Sequence, residues 1–322
     1  MNLKLGIMKT MTKYSWLMFA ALMLLMSGCY KSDYNGCVSK TNATIYFSLK
    51  DEANNEVFPA TVDNVELFIY NAAGIQISRN IITQSELSLF AGTRLKLEPG
   101  TYTVVAWANA TAARTRSFTN ENMHWLDRNN NYLLNAIAVG GMVEDGDPLY
   151  YAPKTKGTPL TLTVPVEGGA EAVAEFRNAH IKLEVTVEGY EHISPRAVAD
   201  PLKIELTGIT SRYDFAMATH GDRVSYVRYA PNIDVANRIF NTSFNVPVFD
   251  RNTITQIRIT NNAERLIIPA ISLKEILSDR VEVEKMTYLP VRIKFTEENG
   301  LIQVAVTVDI PEWGENIIKP SM

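Results

Sequence analysis

The sequence is short of the residues from which most catalytic and metal sites are built. Its 322 residues contain two cysteines and four histidines, and no two of the histidines (His124, His180, His192 and His220) are spaced as metal ligands. The HExxH, GxSxG, phosphate-loop and dinucleotide-binding motifs are also missing. We therefore expect neither an enzyme nor a protein that holds a metal or another cofactor.

The sequence has no surplus of charge of one sign. Lysine and arginine number 31, aspartate and glutamate number 35, and no block of like charges occurs. A nucleic-acid-binding surface normally appears as a concentration of basic residues on one face or along one helix. We therefore do not expect nucleic acid as a partner.

The sequence also lacks an apolar run long enough to cross a membrane. Residues 16–26 are eleven uncharged positions, whereas a spanning helix needs about 20. Lys4, Lys9 and Lys13 precede this run, and Ser27 and Gly28 follow it. A basic segment, an apolar segment and small residues in this order are typical of a secretory signal peptide, here residues 1–28.

Cys29 follows the small residues directly, and a cysteine at this place resembles a bacterial lipobox. Cys29 would then be the acylated first residue of the mature chain, and residues 29–41, which are mostly polar, would tether the lipid to the fold. The alternative is an ordinary secretory signal with a cysteine nearby. If Cys29 carries lipid, Cys37 has no disulfide partner in the chain; it is either a small linker residue or pairs with another chain.

The length of the mature chain suggests two domains. We place the boundary at Gly168-Gly169, where a strand pattern breaks off, so that the domains cover residues 42–168 and 169–322. Many short strands with turn signals and almost no helix predict an all-β fold, two antiparallel β-sandwiches in series.

In the first half, alternating residues predict strands at 44–49 and 160–166, and a further strand is predicted at 65–70. Residues 71–74 predict a hairpin after the second of these, and Pro99-Gly100 predicts another hairpin within 95–109. Residues 120–135 fit either a short helix or a long loop.

In the second half, the clearest strand pattern is at 181–187. One helix is predicted at 271–277. Further strands are predicted at 202–206, 223–227, 240–248, 253–260, 288–295 and 301–310.

Three features allow a binding site, and each also has a structural explanation. The tryptophans Trp107, Trp125 and Trp313 could line a carbohydrate site, or could fill the core of a β-sandwich. Asp145-Gly146-Asp147 could bind calcium, or form a plain turn. His180 precedes the clearest strand and is expected to be a strand-entry residue rather than a ligand.

Residues 267–271 and the closing strand are candidate exposed sheet edges. A free edge presents unpaired N–H and C=O groups, through which one β-domain captures a strand of another protein.

Four stretches together identify a family. They are Cys29 with Cys37, the segment 97–107, the segment 176–183 and a terminal strand ending near Trp313. In this order and spacing they resemble the anchor subunits of Bacteroidales fimbriae, the FimB-like or minor-fimbrium-anchor family.

The resemblance implies an outer-membrane lipoprotein that holds the base of a fimbrium, or pilus, at the cell surface. It implies two transthyretin-like β-sandwiches, lipid on Cys29, strand pairing with the stalk subunit and contact with accessory or tip subunits. Anchors of this family can limit filament length. Residues 314–322, beyond the last predicted strand, leave open whether that strand is donated or stays in the fold.

The alternative function is a fimbrial tip or accessory adhesin, or a surface glycan-binding lipoprotein that uses Trp125. A tip subunit could also travel as a lipoprotein and later be trimmed after an arginine, which would release the lipid and free a strand groove. Arg79, Arg94, Arg114 and Arg116 are possible sites, and nothing in the sequence distinguishes among them.

Overall fold

The structure is a computed structural model. It describes residues 41–51, 53–110, 114–135, 141–192, 202–229, 232–234, 239–249, 255–260, 266–277, 283, 286–310 and 314–318. From Asn42 onward the chain forms one compact unit.

The first part of the chain, up to residue 178, contains a run of mostly short strands and the helix α1 (Gln84–Leu89). The strands are β1 (Ala43–Ser48), β2 (Asn64–Tyr70), β3 (Gln76–Thr83), β4 (Gly92–Leu95), β5 (Gly100–Ala108), β6 (Thr115–Phe118), β7 (Tyr132–Asn135), β8 (Met142–Val143), β9 (Tyr150–Ala152), β10 (Leu160–Val164), β11 (Ala170–Glu175) and β12 (Arg177–Asn178).

The second part has longer strands, a 3₁₀ turn at Tyr190–His192 and the helix α2 (Leu273–Ile276). The strands are β13 (His180–Glu188), β14 (Lys203–Asp214), β15 (Thr219–Tyr229), β16 (Asn232–Asp234), β17 (Ile239–Pro247), β18 (Gln256–Thr260), β19 (Leu266–Ser272), β20 (Tyr288–Glu298), β21 (Leu301–Ile310) and β22 (Gly314–Ile318).

Two sheets of the first part pack face to face. One has the order β11-β1-β4, and the other has the order β12-β9-β5-β2-β3, with β10 also paired to β5. Their shared core takes alternate residues of β1 and β2, including Ile45, Phe47 and Leu67. Phe47 packs against Phe58 and Phe176, with ring centroids 5.7 and 5.8 Å away. The buried residues of β1 are therefore those that the alternating sequence pattern placed on the inner face of the strand.

The larger of these two sheets is buried on both faces. Phe68 and Trp107 point away from the first core and contact the second part of the chain, with ring centroids 4.7 Å from Phe215 and 5.4 Å from Tyr213. Double burial explains why β2 reads as a nearly continuous apolar run rather than an alternating one.

The second part contributes two more sheets. One has the order β16-β17-β13-β20-β21-β22, in which β13 and β20 are parallel. The other has the order β19-β18-β14-β15-β8, and β7 and β6 extend it from β14. Ile181, Leu183, Val185 and Val187 of β13 are fully buried, as the alternating pattern predicts.

Strand pairing crosses position 168 in both directions. β11 and β12, which follow that position, pair with β1 and β9. β7 and β8, which precede it, pair with β14 and β15. The change of partner falls between Asn178 and His180, later than Gly168-Gly169, because the glycines mark only a turn between β10 and β11.

The mostly β, antiparallel character predicted from the sequence is confirmed. The hairpin at 71–74 is confirmed, since β2 and β3 pair antiparallel around it.

The hairpin predicted at Pro99-Gly100 is wrong. β4 pairs with β1 whereas β5 pairs with β2, so the turn joins two different sheets. The Asn42 side chain holds this connection by hydrogen bonds to both the N–H and the C=O of Leu97, at 2.9 and 2.7 Å. Proline and glycine specify a reversal of the chain but not which sheet the next strand joins.

The helices differ from the prediction. α2 covers only Leu273–Ile276, because Ile271 and Ser272 still belong to β19. α1 was not predicted, although Thr83 and Glu86 carry the capping-box spacing and the Glu86 carboxylate accepts the Thr83 N–H at 2.8 Å. Residues 120–131 are turns rather than a helix and lead into β7.

Candidate assembly surfaces

The predicted lipid attachment point, Cys29, lies outside the described residues, as do Cys37 and Trp313. The first described strand, β1, begins 14 positions after Cys29 at Ala43. It is the middle strand of its sheet, with six register pairs to β11 and four to β4. No helix in the described part of the chain has the length and apolar character required to cross a membrane. β1 is therefore held by a partner strand on each side.

One predicted sheet edge is confirmed and the other is wrong. Residues 267–271 belong to β19, which pairs only with β18 among the described strands. The closing strand β21 is not an edge, because β22 pairs with it antiparallel across Val306–Ile310. Of the segment whose role the sequence left open, Gly314–Ile318 forms β22 beside β21.

A third edge, β3, was not predicted, because the sequence shows it only as one half of a hairpin. Among the described strands, β3 pairs only with β2. Ile77 and Ile81 are 47% and 63% exposed, and the pairing with β2 shifts register at Ile77, which has no partner residue on β2. The pattern Ile-Ser-Arg-Asn-Ile is compatible with a strand, but it does not show that the outer side of that strand is unpaired.

Beside β3 lies a cavity of about 410 Å³, which we call the β3–β6 groove. It is lined by Asn64, Glu66, Arg79, Ile81, Ala110, Thr115, Arg116 and Ser117.

A polar network forms the floor of this groove. The Glu66 carboxylate, 5% exposed, accepts the Arg79 Nε–H at 2.6 Å and the Ser117 hydroxyl at 2.8 Å. Arg79 Nη2 donates to Ser117 Oγ at 2.7 Å, and its guanidinium lies over the Phe68 ring. The network ties β6 to the face of β2 and β3, so the groove has fixed walls.

The carbohydrate interpretation of Trp107 and Trp125 is wrong. Trp107 is fully buried and Trp125 is 6% exposed. Both belong to the larger core cluster, where Trp107 packs at 4.9 Å from the Tyr151 ring. Neither indole has a free face on which a sugar could stack.

Asp145 is used as a structural carboxylate. Its Oδ1 accepts the Asn245 N–H at 3.0 Å, and its Oδ2 forms ion pairs with Arg114 at 3.2 Å and Arg228 at 4.0 Å. Within the described ranges, no group of three or more histidine, cysteine, aspartate or glutamate side chains is placed to hold a metal ion. Asp145 therefore joins a loop of the first part to β15 and β17.

His180 is a buried residue at the start of β13, as expected for a strand-entry position. Its Nδ1 lies 2.9 Å from the Leu149 carbonyl oxygen, and its ring meets Tyr150 edge-on. Burial lowers the pKa of His180, and the hydrogen bond to Leu149 offsets part of this shift.

Comparison with known proteins decides the family. The family model described as fimbrillin-A associated anchor proteins Mfa1 and Mfa2 matches residues 26–319. The chain belongs to the Mfa2 anchor family. The fimbrial-anchor resemblance seen in the sequence is thereby confirmed, and membership associates the chain with the fimbrium at the cell surface. No curated protein has significant sequence similarity to this Mfa2-family chain.

Solved structures show the same fold. The fimbrial anchor protein Mfa2 from Porphyromonas gingivalis has a TM-score of 0.60 at 18% identity, over 86% of this chain and 98% of that chain. A candidate adhesin from Bacteroides ovatus has a TM-score of 0.68 at 13% identity, over 87% and 95%. A candidate polysaccharide-binding protein from Bacteroides thetaiotaomicron has a TM-score of 0.66 at 13% identity, over 88% and 99%.

Proposed function

We propose that the chain is the lipid-anchored base subunit of a fimbrium in the outer membrane. Cys29 is acylated, the tether holds the fold at the membrane, and the fold joins the stalk subunit by β-strand pairing, which ends the filament and limits its length. The protein acts by assembly and not by catalysis. Membership of the Mfa2 family supports the anchor role.

The observation that carries the proposal is the position of β1. This strand lies between β4 and β11, and its Ile45 and Phe47 fill the core of the first two sheets. A lipid on Cys29 would therefore be connected to the centre of a sheet and not to a loosely attached end.

The distribution of arginine separates this function from that of a trimmed tip subunit. The first arginine in the whole sequence is Arg79, and it lies within β3, ion-paired to Glu66. A cut after Arg79, Arg94, Arg114 or Arg116 would remove β1 and β2 together, and with them Leu67 and Phe68 of both cores. Trimming that released the lipid-bearing fragment would therefore remove part of both cores, which favours an anchor that keeps its lipid.

The length of the tether supports a position close to the membrane. Residues 30–41 are twelve positions, and a fully extended chain of this length spans at most about 40 Å. The fold would thus remain within roughly its own diameter of the lipid surface.

The test compares two cysteine variants in cells. In Cys29→Ser we expect fimbriae to be assembled but released into the medium, because the base subunit has no lipid. Cys37→Ser is the matched control and should leave fimbriae attached. Fimbriae that stay attached in Cys29→Ser, with unchanged number and length, would contradict the proposal.

A further inference from the structure

We propose that the outer face of β6, β7, β14 and β15 is a docking surface for an acidic segment of a neighbouring fimbrial subunit, in which carboxylates lie beside apolar side chains. We call this surface the arginine face. Its cations and apolar residues are Arg128, Arg212, Arg223, Phe118, Tyr132 and Leu134. The identity of the partner as a fimbrial subunit rests on the proposed function, whereas its acidic character rests on this surface alone.

Burial shows which residues of β14 and β7 point outward. Along the end of β14, Thr210, Arg212 and Asp214 are half-buried and alternate with buried residues. β7 pairs with β14 without a shift of register, which sets Leu134 beside Arg212 and Tyr132 beside Asp214. Both residues of β7 are half-buried and alternate with buried neighbours. The two strands therefore present these side chains on one outer face.

β15 continues this face across a bulge. Arg223 pairs with Thr210, and His220 pairs with Arg212, so that two residues of β15 stand opposite one residue of β14. Arg223 is exposed and the residue after it is buried, while His220 is half-buried. Each of the two pairs on either side of the bulge therefore points outward.

Arg212 is held in a fixed position while its charge is unpaired. Its stem lies against Gly221, where an added Cβ would come within 2.9 Å of Arg212 Cδ, and its guanidinium lies 4.7 Å from the centroid of the Tyr132 ring. In the part of the chain that the structure describes, the guanidinium groups of Arg128, Arg212 and Arg223 form no ion pair and donate no hydrogen bond. A cation that is already in place loses little entropy when it meets a carboxylate.

The arginine face is positive although the chain as a whole has a net charge of -4. Arg212 and Arg128 both lie close enough to His220 to lower its pKa, in addition to the larger effect of burial, while Asp214 acts in the opposite direction. The Asp214 carboxylate accepts two N–H groups of its own turn, at 3.0 and 2.7 Å. Asp222, in the bulge, is exposed and offsets part of the positive charge. An acidic partner is therefore favoured at this face and disfavoured by the net charge elsewhere.

The apolar side of the face favours a polypeptide as the partner. Phe118 of β6 is 39% exposed and stacks on Tyr132, with ring centroids 4.9 Å apart. The cations lie on β14, on β15 and in the loop before β7, so apolar and charged contacts are about one strand spacing, roughly 5 Å, apart. A protein segment offers carboxylates and apolar side chains at such distances, whereas an acidic polysaccharide offers carboxylates without apolar side chains.

The arginine face lies on the opposite side of the layered sheets from β1. Tyr213, on the inner side of β14, packs 5.4 Å from the Trp107 ring of β5, and the other side of β5 packs against the sheet of β1. Because packed sheets lie about 10 Å apart, the face is about 20 Å from the layer of β1. β1 is the strand that follows the tether, so this position suits contact with a subunit better than contact with the lipid surface.

The first test measures binding of the labelled peptide GDELDELDELG to the mature lipidated chain in detergent at low ionic strength. We expect Arg212→Gln combined with Arg223→Gln to weaken binding about tenfold, because two exposed charge pairs are lost. At high ionic strength the difference should shrink to about twofold, since salt screens exposed charges. Arg223→Gln alone, on an exposed residue, should give an intermediate loss.

The matched control is Arg94→Gln combined with Lys96→Gln. Both residues are exposed and lie on or just after β4, so this variant has the same net charge as the first but an unchanged arginine face. It should bind the peptide as the natural chain does. Equal weakening in the two double variants, or unchanged binding in the first, would overturn the inference.

Three further probes distinguish the occupant. The peptide GDESDESDESG, in which serine replaces leucine, should bind more weakly than GDELDELDELG, and equal binding would overturn the inference. Hexagalacturonate carries the same number of carboxylates, and tighter binding of this sugar than of the leucine peptide would overturn it in favour of a polysaccharide. Binding of the Cys29→Ser chain to vesicles of phosphatidylcholine with 30% phosphatidylglycerol, if lost in the Arg212→Gln and Arg223→Gln variant, would overturn it in favour of a lipid surface.

A measurement in cells separates this inference from the proposed function. With Arg212→Gln and Arg223→Gln we expect acylated Cys29 to remain in the membrane fraction, while a salt wash releases more fimbriae than it does from natural cells. Equal release would overturn the arginine face and leave the anchor function standing. A natural chain without acyl groups on Cys29 would overturn the anchor function, whatever the peptides show.

Discussion

At the scale of single residues, burial decides what each polar or aromatic side chain does. His180 can donate from Nδ1 to the Leu149 carbonyl while remaining uncharged, and its environment lowers its pKa. Trp107 and Trp125, for which the sequence favours a core role over a ligand-binding one, are core residues. Trp107 lies on β5, whose sheet is covered on both faces, and Trp125 lies in a turn that packs into the same core cluster. A sequence indicates the residue type but not whether a second layer covers it.

The first residue-scale prediction concerns His180 and acid. Above the unfolded-state pKa of about 6.5, the histidine is neutral in both the folded and the unfolded state, so it does not make the free energy of folding depend on pH. As the pH falls through that value, the unfolded chain takes up the proton more readily than the folded chain, so folding stability falls. We expect a smaller drop in Tm between pH 7.5 and pH 5 in His180→Gln than in the natural chain. A drop in Tm in His180→Gln as large as in the natural chain would contradict the account.

The second residue-scale prediction concerns Gly74, in the turn between β2 and β3. Gly74 has φ +74°, and a Cβ at this position would overlap the His124 ring. We expect Gly74→Ala to lower the free energy of unfolding by about 1–3 kcal/mol for the backbone strain alone, with a further loss from the overlap. Denaturant titration of Gly74→Ala with and without His124→Ala separates the two costs. If His124→Ala restores none of the free energy of unfolding lost in Gly74→Ala, overlap with the His124 ring does not contribute to that loss.

At the scale of elements, β1 shows how alternation specifies a strand. Its buried residues Ala43, Ile45 and Phe47 alternate with more exposed ones, and this pattern was sufficient to predict both the strand and its inward face. Its partners were not predictable, because β11 lies more than 120 positions further along the chain and pairs with it in parallel. Local patterns identify strands, whereas pairing depends on the whole fold.

The prediction for β1 concerns its anchoring in the core. Phe47 is 4% exposed and packs against two other phenylalanines. We expect Phe47→Ala to lower the free energy of unfolding by about 3–5 kcal/mol, since it leaves a cavity where β1 meets β11. Tyr46→Ala, on the adjacent residue that is 37% exposed, is the control and should cost less. Equal losses in the two variants would show that β1 is not held by this core.

The connections between elements were harder to predict than the elements. Pro99-Gly100 gave the position of a turn but the wrong partner, because the same turn chemistry serves a hairpin and a crossing between sheets. The β3 edge was missed for a related reason: a strand in a hairpin has one partner from its turn, and nothing local shows whether a second partner covers its other side.

At the scale of the whole molecule, the two parts of the chain share one sheet and one core. β11 and β12 complete the sheets of the first part, while β6, β7 and β8 extend a sheet of the second. Buried hydrogen bonds join the parts as well, since Tyr151 donates to the Phe215 carbonyl at 3.0 Å and Tyr213 donates to the Ala179 carbonyl at 2.6 Å. The many short strands could be predicted from the sequence pattern, but this degree of interlocking could not.

The corresponding prediction concerns truncation. Residues 42–168 expressed alone lack β11 and expose the apolar face that includes Phe68, Tyr70 and Trp107. We expect this fragment to show no cooperative thermal transition by circular dichroism, whereas residues 42–322 should show one. A cooperative transition in the fragment would mean that the first part folds independently of the rest.

The proposed anchor function requires a lipid that stays attached to Cys29, ahead of β1 in the sequence. The most direct measurement is intact-mass analysis of the N-terminal peptide from protein purified together with its fimbriae. The account predicts a peptide that begins at acylated Cys29, in far fewer copies than the stalk subunit. An unacylated N-terminus that begins after an arginine, with the protein at the distal end of the filament, would contradict it.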